Sequence, residues 1–558
     1  MRTFLLSLAL AGALLAQDVS NTPPAKASYA APANTPKAVD YDPWFPKPSY
    51  FRKRFTPIPT RVELQPPTRL SDFVVEGKLE LSLRSALDLA LANNPDISIQ
   101  VLAIEIPKDS ILRAYSVFDP LAIASFNPTR TQTPTSDSLA GAAVLSSLSQ
   151  PLNLQYSQLL STGTQLNVNY NGLKTSNNNS FQFFNPTITS RFNVNLSQPL
   201  LKNRGSYIAK LPVTIARSRL RQAQFPMEDS VMQLIAVAEN AYWNVIGARE
   251  NLRVSEETLK LANEALKRAQ RELELGASSP LDIFQPQANY ANAEISLTQA
   301  RFSLAQTEDA LRRQIGADRD PQVRMLPMSL TESVSPPVSL ADMDREALVA
   351  KALSRRSDLK ASSQSLDIDE LNLKLTTNNL RPDVSLTANY GTYGRGGNQL
   401  TSGGVLPGGI ADALNQTFAF TYPSYGVGIT LRIPVRDRNA AANYADAVVQ
   451  RRLDQLAIQS AQSNIRLQVL TAINQIENSK ASVELAKVAR DLAQKRLDAE
   501  QKKYELGTTT IFFVISAQGD LANAEAALVR EAVNYRRNQL TLLQRSGTLL
   551  DERGITLN

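Results

Sequence analysis

The sequence of 558 residues contains neither cysteine nor histidine. The absence of cysteine excludes disulfides, thiolate metal sites, a cysteine nucleophile and lipid attachment through an N-terminal cysteine. The absence of histidine removes the most common general base and the most common metal ligand. Carboxylates alone can catalyse hydrolysis, as in glycosidases, but no acidic pair lies in a pocket-forming context. The sequence therefore predicts no enzyme, cofactor or metal site, and a carboxylate-only hydrolase is a remote alternative.

Other common signals are also missing. The formal net charge of +7 is modest for this length and no basic run stands out, which favours a solvated surface over nucleic-acid binding. There is no phosphate-binding Gly-Lys-Ser/Thr loop, so nothing predicts that the chain supplies energy itself. No segment has 18 consecutive apolar residues, so a membrane-spanning helix is not predicted.

The N-terminus predicts export. Arg2 precedes an apolar stretch over residues 4–15 that is too short for a stable membrane anchor, and Ala13 and Ala16 end two candidate cleavage sites. We interpret residues 1–16 as a secretory signal peptide. A proline-rich arm follows and is expected to be extended, because proline fixes φ and lacks the backbone N–H. An exported chain without a membrane helix is periplasmic, secreted or inserted in an outer membrane as a barrel.

The rest of the chain is internally duplicated. Glu274-Leu275-Gly276 recurs as Glu505-Leu506-Gly507 at a spacing of 231 residues. Upstream, the spacing from Pro120 to Pro382 is 262 residues, so the first copy carries an insertion of 31 residues. Units of this length indicate a duplicated domain rather than a solenoid. The expected organisation is a signal peptide (1–16), an N-terminal arm (17–78), a first repeat (79–316), an inter-repeat linker (317–340), a second repeat (341–547) and a C-terminal tail (548–558).

Each repeat carries a coiled-coil pattern, in which small and apolar residues recur at steps of three and four. The pattern predicts a long helix over about residues 208–275, which would reach ~100 Å, and shorter helices over about 83–118 and 280–315 of ~50 Å each. The seam of the first long helix comprises Ala238, Ala241, Val245, Ala248, Leu252, Ser255, Leu259, Ala262, Leu266, Ala269 and Leu273. The second copy repeats it more weakly at Val469, Ala472, Ile476, Ser479 and Val483.

Between the short and the long helix of each repeat the period changes to two. In the second copy, residues 384–390 and 425–433 alternate apolar and polar side chains around a glycine-rich loop over 394–409. In the first copy, residues 165–170 and 191–197 alternate in the same way. Half-buried strands of a soluble sheet give this alternation, and so do strands of a membrane barrel. The export signal and the lack of another sheet for these strands to join favour the membrane interpretation.

The order of these features resembles the outer membrane factor family, the TolC-like outer membrane efflux proteins, over about residues 80–550. Each matching motif is weak alone, but their order and spacing together are a strong signal. The motifs are residues 87–96, Gln198-Pro199-Leu200-Leu201, Ala241-Tyr242-Trp243 and Tyr504-Glu505-Leu506-Gly507-Thr508.

The resemblance implies a mixed α + β membrane protein that assembles as a homotrimer. Each chain would give four strands to a closed 12-strand β-barrel in the outer-membrane lipid, which leaves no sheet edge unpaired. The helices would continue as a long α-helical coiled-coil tunnel through the periplasm. Such a duct is passive and exports small molecules, such as drugs or toxic compounds, or proteins. It would need a periplasmic adaptor (membrane fusion) protein and an inner-membrane pump of the resistance-nodulation or ABC type, and no nucleic acid.

The resemblance also assigns roles at the two helical tips. The glycine at each tip can be explained by the local backbone alone, because glycine readily adopts the left-handed conformation that a turn between antiparallel helices requires. Adaptor docking is expected at Leu275, Gly276, Ala277, Ser278, Leu506, Gly507, Thr508 and Thr509. The periplasmic gate is expected at Asp282, Tyr504, Phe513 and Ser516.

The expected gate departs from the family's pattern. Where the family's best-studied member has a linking arginine, this sequence has Thr509, and where it has a ring of aspartates, this sequence has Phe513 and Ser516. An apolar ring of Phe513 side chains that closes by dewetting is therefore expected. A periplasmic coiled-coil scaffold or tether without channel activity is the alternative function. It would explain the heptads but not the alternating strands.

Overall fold

The computed structural model describes residues 68–135, 141–179, 181–276, 279–333 and 344–555. The predicted signal peptide and most of the proline-rich arm lie outside the described residues, as do Ala277 and Ser278 of the first tip. Within the described part of the chain, no helix has both the length and the apolar character needed to cross a membrane.

Twelve α-helices are described. In the first copy they are α1 (Leu83–Asn93), α2 (Pro95–Ala103), α3 (Glu105–Tyr115), α4 (Gly205–Ala209), α5 (Leu211–Glu274) and α6 (Phe284–Gln314). In the second copy and the tail they are α7 (Arg345–Arg355), α8 (Ser357–Asn379), α9 (Ile410–Phe418), α10 (Arg438–Glu505), α11 (Ile511–Arg545) and α12 (Leu549–Glu552). Short 3-10 helices span Leu70–Phe73, Ser116–Phe118 and Ala317–Arg319.

The described strands form two sheets. Their bounds are β1 (Val74–Val75), β2 (Lys78–Leu81), β3 (Leu121–Phe126), β4 (Thr129–Pro134), β5 (Val144–Leu159), β6 (Gln165–Asn177), β7 (Phe184–Pro199), β8 (Met328–Leu330), β9 (Asp383–Thr401), β10 (Gly404–Leu406) and β11 (Pro423–Arg432). The small sheet has the order β1-β2-β8, and all other strands belong to the large antiparallel sheet.

The two long helices confirm the coiled-coil prediction. Helix α5 spans 64 residues, with Pro226 inside it, and α10 spans 68, so each is roughly 100 Å long. Every seam residue predicted in both copies is buried or half-buried. The helix predicted over 83–118 is instead divided into α1, α2 and α3. Asn94 ends α1, because its side chain accepts a hydrogen bond from the Asp96 N–H and Pro95 supplies no N–H of its own.

The small sheet joins the end of the predicted arm to the predicted linker, since β2 pairs in parallel with β8. The last part of the predicted arm is therefore paired in a sheet, since β1 pairs with β2. No proline lies between Pro67 and Pro95, so backbone N–H groups are free to pair there. Tyr242 of α5 fixes this sheet: its buried hydroxyl contacts the Leu81 carbonyl oxygen at 3.1 Å and the carboxylate of Glu332.

The large sheet corrects the predicted strand count. Its order is β10-β9-β7-β6-β5-β3; β4 pairs with β5 and β11 pairs with β9. Because β3 and β4 share one position beside β5, and β10 and β11 share one beside β9, the eight described strands occupy six positions. Four positions belong to the first copy and two to the second. The prediction of four strands per chain is wrong, and a 12-strand barrel no longer follows from three copies.

The 31-residue insertion explains the two additional positions. It lies between Pro120 and Ala241, the interval that contains all the first-copy strands. Its length is enough for two membrane-spanning strands of about 9–11 residues and the turn between them. The first copy therefore has two hairpins, where the second copy has one.

The glycine-rich segment over 394–409 is also not a simple loop, as its first glycines lie in β9 and helix α9 packs against them. A Cβ atom at Gly394 would collide with the Ala413 carbonyl and the Thr417 hydroxyl. The Thr417 hydroxyl also donates to the Ser190 carbonyl oxygen of β7 at 3.1 Å. Glycine is required here because backbone approaches backbone too closely for a side chain.

Candidate channel surfaces and periplasmic gate

The strand register gives the large sheet two chemically different faces. One row crosses all six positions on a single face: Tyr425, Tyr390, Val194, Val168, Tyr156 and Ala122. The adjacent row on the opposite face is Gly426, Asn389, Asn195, Asn167, Ser157 and Leu121. Successive side chains of a strand point to opposite faces, so the alternation predicted for single strands combines into one apolar face and one largely polar face.

Helix α9 covers part of the apolar face, and the most exposed part of this face lies on β11. Tyr425 is 80 % exposed and Val427 is 77 % exposed. Contiguous apolar surface of this kind is rare on soluble monomers and marks contact with a membrane or a partner. Strands with one apolar and one polar face are suited to separate lipid from water.

Aromatic side chains gather on the apolar face near the end of β11 that is farther from the long helices. Phe418 of α9 stacks on Tyr170, with 6.3 Å between ring centroids, and contacts Phe192 at 6.2 Å. The rings of Phe420 and Tyr390 lie 6.0 Å apart. Aromatic bands of this kind mark the boundary between lipid and water in membrane barrels.

The large sheet has a free edge on each side within the described residues. Strand β11 pairs with β9 only, and β3 and β4 pair with β5 only. A free edge exposes unpaired N–H and C=O groups, which lipid cannot satisfy. In lipid, the backbone groups at both edges would need a pairing partner.

At the opposite end of the molecule, each long helix ends in the same turn. Gly276 and Gly507 both have φ of +70°, the left-handed conformation that favours glycine. At the second tip, Thr508 donates its N–H to the Lys503 carbonyl oxygen at 2.9 Å, which completes a helix-terminating motif. The preceding leucine of each tip points outward, with Leu275 82 % exposed and Leu506 79 % exposed. The leucine before each tip glycine is therefore an exposed apolar side chain; Thr508 is exposed and Thr509 is half-buried.

Tyr504 joins the two long helices just before the second tip. Its hydroxyl lies 2.5 Å from Glu272 Oε2 on α5, and the Arg268 guanidinium lies 4.6 Å from the centre of its ring. Burial and the bond to Glu272 raise the pKa of Tyr504 to about 12. The hydroxyl therefore keeps its proton and donates at any physiological pH. The sequence prediction included Tyr504 but missed Arg268 and Glu272, although their spacing of four on a helix is a pairing signal.

The other predicted gate residues lie close to the two tips. Asp282 closes a local turn after the first tip: its Oδ2 accepts the Ser279 N–H at 3.2 Å, and its own N–H donates to the Ser279 carbonyl oxygen at 3.0 Å. Phe513 lies in the first turn of α11 and is 49 % exposed, with its ring edge-on to Phe512 at 5.5 Å. Ser516 is half-buried. Phe513 is therefore not a core residue of the single chain.

A two-faced sheet connected to long paired helices with exposed tips is the architecture of an outer membrane channel. Residues 159–317 and 348–548 match the family model described as outer membrane efflux protein. Outer membrane protein TolC of Vibrio cholerae is 23% identical over 369 residues, which is 65% of this chain and 78% of that protein. Outer membrane efflux protein BepC of Brucella suis is 23% identical over 485 residues, 86% of this chain and 89% of that protein.

The fold has solved counterparts. The Campylobacter jejuni CmeC outer membrane channel has a TM-score of 0.57 at 15% identity, over 86% of this chain and 87% of that one. The chain belongs to the outer membrane efflux protein family. It is an outer membrane protein with periplasmic helices, and its family is one of channels rather than enzymes.

Proposed function

We propose that three copies of the chain form the passive exit duct of a tripartite efflux or type I secretion system. A periplasmic adaptor docks on the helical tips, and an inner-membrane pump of the resistance-nodulation or ABC type delivers small molecules or proteins to the duct. The single observation that carries this proposal is the large sheet, with one apolar face, one polar face and a free edge on each side. Copies that pair edge to edge would satisfy the backbone in lipid.

The helices support the same assembly. Because α5 contacts both α6 and α11, and α11 contacts α10, the lateral order is α6, α5, α11, α10. The outer sides of this layer carry exposed apolar residues. On α6 these are Ile295 and Phe302, and on α10 they are Leu467, Leu485 and Leu492. In a ring, α6 of one copy would lie beside α10 of the next and cover both rows, which a monomeric scaffold would leave in water.

The tips supply the docking surface in this proposal. The adaptor would contact Leu275 and Gly276 at the first tip and Leu506 to Thr509 at the second; the expected contributions of Ala277 and Ser278 fall outside the described residues. The exposed leucines lie beside glycines, which have no side chain to block access. A helical hairpin of the adaptor could therefore pack against them. The gate lies directly behind them, where three copies of Phe513 would form an apolar constriction held by the Tyr504 link.

Oligomeric state and sidedness test the proposal. The purified protein in detergent should have the mass of a trimer, and a folded monomer that is soluble without detergent would favour the scaffold instead. Because the chain has no cysteine, single cysteines can report sidedness. An impermeant maleimide added to intact cells should label Gly403→Cys, between β9 and β10, and not Leu506→Cys. Labelling of Leu506→Cys alone would contradict the proposed orientation.

A further inference from the structure

The two edges of the large sheet carry an inference that rests on the proposed trimer and goes beyond it. We propose that β11 of one copy pairs with β3 and β4 of the next, so that three copies of six positions close a barrel of eighteen strands rather than twelve. The partner at each edge is a second copy of this chain.

Strand direction permits this pairing. All neighbouring positions in the large sheet are antiparallel, so the direction reverses at every step. With an even number of positions, the first and last run in opposite directions. Strands β3 and β4 run away from the helix α3, and β11 runs back towards α10. Two copies placed edge to edge would therefore form an antiparallel pair, as in the rest of the sheet.

The chemistry of the edges also matches. On β11, the apolar face carries Tyr425, Val427 and Ile429, and the register from strand to strand places Ala122, Ala124 and Phe126 of β3 on that same face. All six are exposed in the single chain. Strand β11 has 10 residues, and β3 and β4 follow one another along residues 121–134, so the shorter edge can be paired over its full length.

The wider barrel changes where the duct can select its cargo. Barrel diameter grows roughly linearly with strand number, so eighteen strands give about one and a half times the diameter of twelve, and barrels of 16–18 strands leave an aqueous channel. The polar face would line this channel with asparagines from the three copies, among them Asn389, Asn195 and Asn167. The outer-membrane segment would then pass bulky solutes, and size selection would occur at the periplasmic tips.

Disulfide formation between introduced cysteines tests the pairing in the assembled protein. Directly opposed residues of neighbouring antiparallel strands have Cα atoms about 4.5–5.5 Å apart, within disulfide range, whereas residues two strands apart are out of range. Val427→Cys is combined in turn with Ala122→Cys, Ala124→Cys and Phe126→Cys on β3. The matched controls combine Val427→Cys with Leu154→Cys or Tyr156→Cys on β5, which share the face but lie one strand further in. Folding is checked by the trimer mass in detergent.

With an oxidant, at least one β3 pair is expected to give covalent dimers and trimers, and the β5 pairs none. Cross-links from the β5 pairs alone would show that β3 is not at the interface, and would overturn the eighteen-strand barrel while leaving the duct intact. Intact trimers that form no cross-link with β3 would also overturn it. A protein that is monomeric in detergent would instead refute the proposed trimer. Electron microscopy of the trimer gives an independent readout, because a barrel as narrow as twelve strands would contradict the inference.

Discussion

The hydroxyl of Tyr504 on α10 and Glu272 Oε2 on α5 lie 2.5 Å apart, so the two long helices of one chain are tied together immediately before their tips. Arg268 holds the acceptor in place through an ion pair to Glu272 with an N–O distance of 3.2 Å, while its guanidinium lies over the tyrosine ring. If the pair α5 and α6 moves away from the pair α10 and α11 at the tips, this link has to break. The link is therefore a candidate latch of the periplasmic gate.

Removal of the hydroxyl should loosen this latch. A hydrogen bond to a charged acceptor contributes about 1.5–3 kcal/mol, less where solvent reaches it, as it does here. Tyr504→Phe is expected to raise single-channel conductance in planar bilayers while the trimer stays folded. The control is Tyr444→Phe on the same helix, which should leave conductance unchanged. Equal conductance of Tyr504→Phe and the wild type would show that the bond does not hold the gate.

The proposed apolar constriction predicts a difference between two adjacent phenylalanines. Phe513→Ala, and more strongly Phe513→Asp, should raise conductance because a smaller or charged ring admits water. Phe512→Ala should not, since its side chain leaves the helix in another direction. Thermal stability should change by less than the ~3–5 kcal/mol of a buried phenylalanine, because Phe513 is half-exposed. Unchanged conductance in folded trimers of both Phe513 variants would remove Phe513 from the gate.

The C-terminal tail is fixed to the middle of α5 by an ion pair between a buried carboxylate and a partly exposed arginine. Glu239 is 1 % exposed and pairs with Arg553, with Oε1 at 2.5 Å from Nη2 and Oε2 at 3.0 Å from Nε. Loss of one partner of a fully buried pair costs about 3–5 kcal/mol, and the loss here should be smaller because Arg553 is 29 % exposed. Arg553→Ala should therefore lower the thermal unfolding temperature clearly. Glu552→Ala, which removes only an exposed pair with Lys351, should cost less than about 1 kcal/mol. An equal decrease in the unfolding temperature of Arg553→Ala and Glu552→Ala would contradict this account.

A carboxylate pair between α8 and α10 predicts a dependence of stability on pH. Burial, and then the charge and hydrogen bond of Asp454, raise the pKa of Asp369 to about 6 from the ordinary 3.8. Between pH ~4 and ~6 the folded state keeps a proton that the unfolded state has lost, so stability falls as pH rises through this range and stays reduced above it. Neighbouring Glu370 and Arg451 pair with each other at 3.6 Å.

Replacement of Asp369 by a neutral residue should remove this loss of stability at high pH. Asp369→Asn is expected to raise the unfolding temperature at pH 8 relative to the wild type, with a smaller difference at pH 4. The exposed Asp367→Asn on the same helix serves as the control and should show no such trend. A difference for Asp369→Asn that is the same at both pH values would refute the pH dependence.

The helices could be predicted from the sequence because a seam repeated over many turns, such as Ala238 to Leu273, depends on no distant contact. The strands were predicted only where the alternation was clean, as around Val194 or Ile429. The alternation of Leu152, Leu154 and Tyr156 was present but missed, because Pro151 interrupts it and proline argues against an interior strand. The position of β5 was missed in this way, and the position of β3 and β4 was not predicted either, so the predicted number of barrel strands was too small.

In the candidate site, too, features set by local sequence could be predicted and contacts between distant residues could not. The tip glycines and exposed leucines follow from local helix-ending rules, so their places at 275–276 and 506–507 could be read in the sequence. The partners of Tyr504 could not, because Glu272 is 232 residues away and only the tertiary arrangement of the helix ends at the tips brings it into contact. The same holds for Glu239 and Arg553. Links of this kind depend on tertiary structure and leave at most a local pairing signal in the sequence.

Conduction through the purified protein tests the central claim most directly. Detergent-purified wild-type protein should insert into planar bilayers and give uniform single-channel steps, small at rest because the Tyr504 link and the Phe513 ring close the tips. The double variant Tyr504→Phe, Phe513→Asp should give larger steps of equally uniform size. Folded trimers of both proteins that insert into the bilayer and conduct no ions would contradict the duct and leave the scaffold as the better account.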